Sequence, residues 1–400
     1  MTLSLFQICI AFFIGLIIVY YAIPIIVRIS ITKHLFDVPS ERRVNKTVVP
    51  NLGGIALFVG ISIGSLIGIL KNAFPDWRFI SSTMIILFFI GIKDDIMAIS
   101  AIKKFTAQIL CAIILILLGD IRITNFHGIL GINEISYTVS AVVSLLAIVG
   151  TINAINLIDG IDGFAASIGI LSSLVFGLIF FLNNQINYSV ICFATLGSLV
   201  SFFVFNVFGK ANKIFMGDTG SLMLGLLLSI FTIRYNEMYI SASDVQLKFS
   251  PVFSLAILAI PLSDMIRLFV IRIVQKRSPF SADLQHIHHK ILRIGFSHLQ
   301  TTLIIVAANL FILVIAFFSR TLNNNVAILI LISTVAIFSI MPRLVYGYIK
   351  SKNQLAYHII PFKKRISDFR YDESLVIEIS PKQKNGKLIV LDEPGVSAQM

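Results

Sequence analysis

Thr151–Phe164 reads T-I-N-A-I-N-L-I-D-G-I-D-G-F and stands at the mouth of a strongly apolar segment. Asn153, Asn156, Asp159 and Asp162 recur in it at three-residue intervals. On a helix the two asparagines lie one turn apart and share a face. The two Asp-Gly pairs then break the helix, because glycine permits the backbone of a tight turn. Amides and carboxylates at the edge of hydrocarbon are costly without a partner. A connector needs one Asp-Gly pair; two, preceded by two asparagines, are more polarity than a turn requires.

The surroundings set the fold class. Apolar residues make up 57% of the 400 and charged residues 13%, about half the charged share of a soluble domain. Apolar runs of about 18 residues or more recur, enough to cross a hydrocarbon core. The fold expected is an all-α polytopic membrane protein. Eleven spans are expected, at 4–27, 52–70, 79–93, 105–119, 138–156, 164–182, 188–206, 218–234, 250–273, 301–319 and 325–349. They form a membrane-embedded domain over 1–350, followed by a basic tail, 351–400. In that tail Leu375–Ile379 and Leu388–Leu391 flank an Asn385–Gly386 turn signal, the pattern of a short β-hairpin. The first run lacks a basic leader region and a small-residue cleavage site, so it is expected to stay as an anchor.

The net charge of +12 follows topology and does not indicate nucleic acid. Loops on one side hold only Lys71, Arg78, Arg122, Arg234, Lys248 and Arg320; the other Lys and Arg fall on the opposite side. The positive-inside rule makes that richer side cytoplasmic, with the N-terminus outside and the C-terminus inside. Cys9, Cys111 and Cys192 lie far apart within apolar runs and read as small buried thiols.

Four polar clusters share the cytoplasmic face. In G-I-K-D-D, Asp94 and Asp95 end the third span. Adjacent helical residues point about 100° apart, so one carboxylate faces the site and the other holds a neighbouring helix or cation. Lys104 is better placed than Lys103 to face a phosphate. The second cluster is the opening stretch. In the third, M-G-D-T-G-S puts Asp218 at a helix N-terminus, either as a cap or as a metal carboxylate beside free N–H groups. Phe215, just before it, is an aromatic that stacks on a base or is buried in membrane. The fourth, S-P-F-S-A-D-L-Q-H-I-H-H-K, holds His286, His288 and His289. No cysteine or H-E-x-x-H accompanies them, so an anionic ligand fits better than zinc, with Arg272, Lys276, Arg277 and Lys290 nearby. Asp264 and Arg267, one turn apart, read equally well as a mutually neutralising pair. There is no P-loop and no G-x-G-x-x-G. The clusters together suggest magnesium-dependent phosphoryl transfer at a membrane surface.

K-D-D, N-x-x-N-x-x-D-G-x-D-G, M-G-D-T-G-S and H-I-H-H, in this order from about Asp37 to Gln300, resemble the polyprenyl-phosphate N-acetylhexosamine-1-phosphate transferases. H-I-H-H is similar to the WecA/TagO branch and unlike the MraY branch acting on UDP-MurNAc-pentapeptide. The resemblance implies a reaction. Polyprenyl (undecaprenyl) phosphate attacks the β-phosphorus of a UDP-N-acetylhexosamine, by default UDP-GlcNAc, giving polyprenyl-diphosphate-sugar and UMP. This would initiate a cell-envelope polysaccharide at the bacterial inner membrane. It further implies Mg²⁺, with Mn²⁺ as a substitute, held by Asn156 and Asp218. Asp94 would position or deprotonate the acceptor, with Asp95 beside it, Asp159 would assist through water, and Lys104 would balance diphosphate charge. Asp162 would recognise uracil and Phe215 stack on it. Asn153 would line the substrate face or brace the helix, and His286, His288 and His289 would contact phosphate or sugar, supported by Arg272. A homodimer is compatible with this reading. One departure stands in D-V-P-S-E-R-R-V-N-K, where Asn45 replaces a histidine that relatives often carry after the pair Arg42–Arg43. The rival from another class is a secondary transporter; its sites usually lie at the midplane in repeated halves, and no repeat is visible.

Overall fold

The structure, a computed structural model, describes residues 2–35, 49–69, 74–241, 251–277 and 285–357. The loop bearing Arg42, Arg43 and Asn45, and the two strands expected in the tail, lie outside the described residues. Contacts gather Met1–Gly347 into one unit and Tyr348–Met400 into a second, of which only the end of the last helix is described.

The helices run α1 (Thr2–Thr32), α2 (Gly53–Gly68), α3 (Pro75–Ile96) and α4 (Ala101–Ile113, widening into a π-helical turn at Ile114–Leu118). A two-stranded hairpin follows, β1 (Asn125–Ile129) and β2 (Ile132–Glu134). Then come α5 (Tyr137–Ile158), α6 (Phe164–Leu182), α7 (Ile186–Phe203, with a second π turn at Val204–Phe208) and α8 (Gly217–Ser241). The chain closes with α9 (Val252–Ile257), α10 (Ala259–Val274), α11 (Ile287–Ile294), α12 (His298–Phe318) and α13 (Asn324–Tyr357).

Seven of these helices are long and apolar enough to cross a membrane, and α2 is a shorter apolar helix. The described parts of the expected apolar runs fall largely on helix; the expected ninth is broken at Leu258 into α9 and α10. Large apolar side chains line the outer surface as well as the core: Phe13, Ile17, Phe89, Leu117, Leu146 and Leu329 are all exposed. A soluble protein avoids that distribution, whereas a hydrocarbon solvent favours it. The protein is an all-α polytopic membrane protein, with one small hairpin among the described residues. Cys111 and Cys192 are buried as expected, but Cys9 is exposed on α1.

The hairpin was not anticipated. Leu130 and Gly131 both take positive φ at its turn, the geometry of a tight two-residue connection. Asn324 and Asn325, opening α13, donate to the carbonyls of His127 (2.7 Å) and Gly128 (3.1 Å). Glu237, near the end of α8, accepts from the backbone N–H (2.8 Å) and hydroxyl (2.6 Å) of Thr124. The hairpin thus sits at the C-terminal end of α8. The polar clusters gather at the other end of that helix.

Candidate functional site

Two glycines let α8 start where it does. Gly217 has φ +71°, and a Cβ there would stand 2.0 Å from the Asn51 carbonyl oxygen. A Cβ at Gly91 on α3 would stand 2.3 Å from Thr219 Cα. With both absent, the last turn of α3 meets the first turn of α8 directly.

Asp94 and Asp95 then part company. Both Asp95 oxygens serve α8: Oδ1 accepts from the Asp218 N–H (2.8 Å), and Oδ2 from the N–H (3.0 Å) and hydroxyl (2.6 Å) of Thr219. Asp95, expected among the catalytic groups, is therefore a helix cap supplied from a neighbouring helix. Asp218, whose N–H Asp95 takes, turns its own carboxylate to Lys104 and Asn156. Asp94 accepts from the Ile99 N–H (2.7 Å) through Oδ1, and its Oδ2 lies 2.6 Å from Lys104 Nζ. That ammonium is also 2.6 Å from Asp218 Oδ2. Lys103, one residue earlier, is exposed.

From α5, Asn156 Nδ2 donates to Asp218 Oδ1 and, at 2.9 Å, to Ser221 Oγ. Asn153 does otherwise. Its Nδ2 donates to Gln108 Oε1 (2.6 Å) and to the Val149 carbonyl (2.7 Å), bracing α5 on α4. Its amide is engaged there, which is the bracing alternative that the sequence left open beside a binding role.

The Asp-Gly turn follows. Burial, then the carboxylates of Asp218, Asp95 and Asp162, pushes the Asp159 carboxyl well above the usual range. Asp162 behaves oppositely. Burial alone would raise it, but His298 (3.3 Å) and Lys213 (2.7 Å) outweigh that and hold it low. Asp162 Oδ1 is buried without a hydrogen-bond partner among the described residues. Lys213 Nζ also lies 5.8 Å from the centre of the Phe215 ring, so the two residues expected at the uracil share one lysine. Thr302 donates to the Asp162 carbonyl at 3.0 Å. Sequence reasoning missed both His298 and Thr302; the capping box Ser297–Gln300, which starts α12 beside them, was the available signal.

The histidines come next to this turn. His288 is buried and neither ring nitrogen has a hydrogen-bond partner among the described residues. Burial, reinforced by His289 and His286, lowers its pKa to about 3, so the ring is neutral. A Cβ on Gly160 would stand 2.9 Å from His288 Nε2, which places the ring against the Asp-Gly turn. His286 stacks on His288 with centroids 5.3 Å apart, and His289 tilts against His288 at 4.2 Å. Arg272 is buried in the last turn of α10.

A hard divalent cation suits these donors. Asp94, Asp159 and Asp218 offer carboxylate oxygen, and Asn156 offers an amide oxygen once its side chain is turned over, an orientation set by its hydrogen bonds. Lys104 already shows that positive charge is held between Asp94 and Asp218. One ammonium does not balance the three carboxyl groups of Asp94, Asp159 and Asp218, so a second cation is electrostatically favoured.

Residues 77–236 match the family described as Glycosyl transferase family 4. A Yersinia pestis protein named undecaprenyl-phosphate alpha-N-acetylglucosaminyl 1-phosphate transferase is 30% identical over 343 residues, covering 85% of this chain and 90% of its own. Proteins of the same name from Escherichia coli K12 (31%, 68% of this chain and 73% of its own) and Pasteurella multocida (35%, 68% and 76%) are also similar. The chain belongs to glycosyl transferase family 4, in its WecA-like branch.

Proposed function

We propose that this protein transfers N-acetylhexosamine 1-phosphate, by default GlcNAc 1-phosphate, from a UDP-sugar to undecaprenyl phosphate. The products are the lipid-diphosphate-sugar and UMP, and the step starts a cell-envelope glycan at the bacterial inner membrane. The observation that carries the reading is the clasp of Lys104 by Asp94 and Asp218, with Asn156 on the same Asp218 carboxylate. It supports a site built to hold anionic phosphate through bound positive charge. Family membership leaves no support for the transporter reading.

In this mechanism an oxygen of the lipid phosphate forms a bond to the β-phosphorus while the bond from that phosphorus to the bridging oxygen breaks. UMP leaves with that oxygen. The lipid phosphate is already a nucleophile near neutral pH, so orientation and charge neutralisation supply most of the rate. Asp218 and Asn156 would hold Mg²⁺, with Asp159 adjoining through water; when bound, the ion withdraws charge from the diphosphate. Lys104 offers its ammonium to the same oxygens, and Asp94 orients Lys104 and the incoming phosphate. Asp95 is a positioning residue, since it fixes the helix end that carries Asp218. Asp162 presents its unpartnered oxygen to a base N–H beside Phe215. His288, buried with two idle ring nitrogens, gains a partner when a sugar or phosphate reaches it.

A cytoplasmic site suits the chemistry, because the donor is water-soluble while the acceptor's phosphate lies at the headgroups. Transfer of labelled sugar phosphate by purified protein, run over a panel of UDP-sugars, tests the proposal. UDP-GlcNAc is expected to be the best donor and EDTA to abolish turnover; full activity in EDTA would rule out the metal role.

A further inference from the structure

Asp264 is 2% exposed, and a carboxylate that deep must be compensated on each oxygen. In sequence it reads as a partner for Arg267; the structure shows more. Oδ1 lies 2.5 Å from Arg267 Nη2 and accepts from the Ile287 N–H at 3.2 Å. The same Arg267 nitrogen donates to the Gln285 carbonyl at 2.8 Å. Oδ2 is 2.9 Å from His286 Nδ1. The residues before, at and after position 286 are all tied, directly or through Arg267, to this one carboxylate.

An ionised carboxylate only accepts hydrogen bonds, so His286 Nδ1 must carry the proton. Nε2, on the opposite edge of the ring, makes no hydrogen bond among the described residues. The ring lies nearly parallel to His288, 15° between planes, and His288 abuts Gly160, next to Asp159. A continuous stack therefore joins Asp264 to the carboxylate site.

We propose that Asp264 is the positioning residue of the histidine loop: it fixes His286 with Nδ1 protonated and Nε2 presented to the phosphate-bearing substrate. This rests on the transferase reading. A carboxylate partner on one ring nitrogen sets the tautomer and orientation of a histidine; for metal-bound histidines, removing it costs about 10–100-fold, and a loss of that order is expected here.

A double-mutant cycle and one spectrum test it. Asp264→Asn and His286→Asn are each expected to lower kcat/KM by about 10-fold or more. The double variant is expected to lose no more than His286→Asn alone, because the first residue acts through the second. Multiplying losses, or an Asp264→Asn variant of wild-type activity, overturn the proposal. In wild-type protein labelled with 15N-histidine, with His286 assigned by its absence in His286→Asn, Nδ1 is expected to carry a proton; a bare Nδ1 overturns the proposal, whether or not Asp264→Asn folds. Stoichiometric zinc in the purified protein also overturns it, since Asp264, His286 and His288 stand close enough to ligate one ion and the metal would take the place of the Nδ1 bond. If wild-type protein transfers no sugar phosphate, the transferase reading fails, and the spectrum still decides the role of Asp264.

Discussion

At the scale of residues, charge is held against charge. Lys104 touches both Asp94 and Asp218, so Lys104→Met should cut kcat by about 10²–10³-fold, the range for losing one electrostatic contact to a transition state. Lys104→Arg should not restore it, since a planar fork cannot replace a point charge between two carboxylates. Steady-state kinetics on the two variants checks both statements. His288 makes a separate prediction. Its folded-state pKa of about 3 lies below the ordinary histidine value of about 6.5. Above that value neither state binds the extra proton; as pH falls below it, only the unfolded chain does, so stability is lost progressively from about pH 6.5 towards 3. In detergent, the melting temperature of His288→Phe should fall less steeply between pH 7 and 5 than that of the wild type. Much of this chemistry was legible: the spacing of Asn156 after Asn153, and Lys104 rather than Lys103, follow from helical periodicity at a span end. That one of Asp94 and Asp95 holds a neighbouring helix, and that Asn153 can brace one, was legible too; their partners were not, because a group 45 or more than 120 residues away depends on helix register that no local pattern encodes.

At the scale of elements, the decisive junction is α3 against α8. Asp95 caps α8 from outside, so Asp95→Ala should destabilise the protein by about 1–2 kcal/mol, the upper range for a lost cap. It should also reduce activity through displaced Asp218. Gly91→Val puts a branched side chain where Thr219 Cα already is and should produce both effects more strongly; thermal melts and turnover on the same samples test the pairing. Sequence reading located the ends of both helices but not their contact, since Gly91 reads as an ordinary small residue in an apolar run. The hairpin Asn125–Glu134 was equally hidden: it is short, and its ties come from α13 and α8. The break at Leu258 did have a signal that the span assignment ran through: Pro261 cannot donate to the Ile257 carbonyl four residues back, and Asn309 Nδ2 takes that carbonyl instead at 3.0 Å.

At the scale of the whole molecule, apolar residues face outward as well as inward and the polar clusters gather at the N-terminal end of α8. Hydropathy made the class legible because a chain that cannot hydrogen-bond to its solvent must satisfy its backbone internally, as helices do. The distribution of Lys and Arg predicts the orientation, with the polar clusters on the cytoplasmic side. Cysteines introduced singly at Asp120 and at Lys103 should react with a membrane-impermeant maleimide from opposite sides, Lys103 only after the cytoplasmic face is opened. The central claim is transfer of the sugar together with its phosphate, and a donor labelled with 32P in the β-phosphate tests it most directly. With purified protein, Mg²⁺ and undecaprenyl phosphate, the account predicts label in the lipid product and unlabelled UMP in the aqueous phase. Label appearing in released UDP, with sugar alone on the lipid, would contradict it.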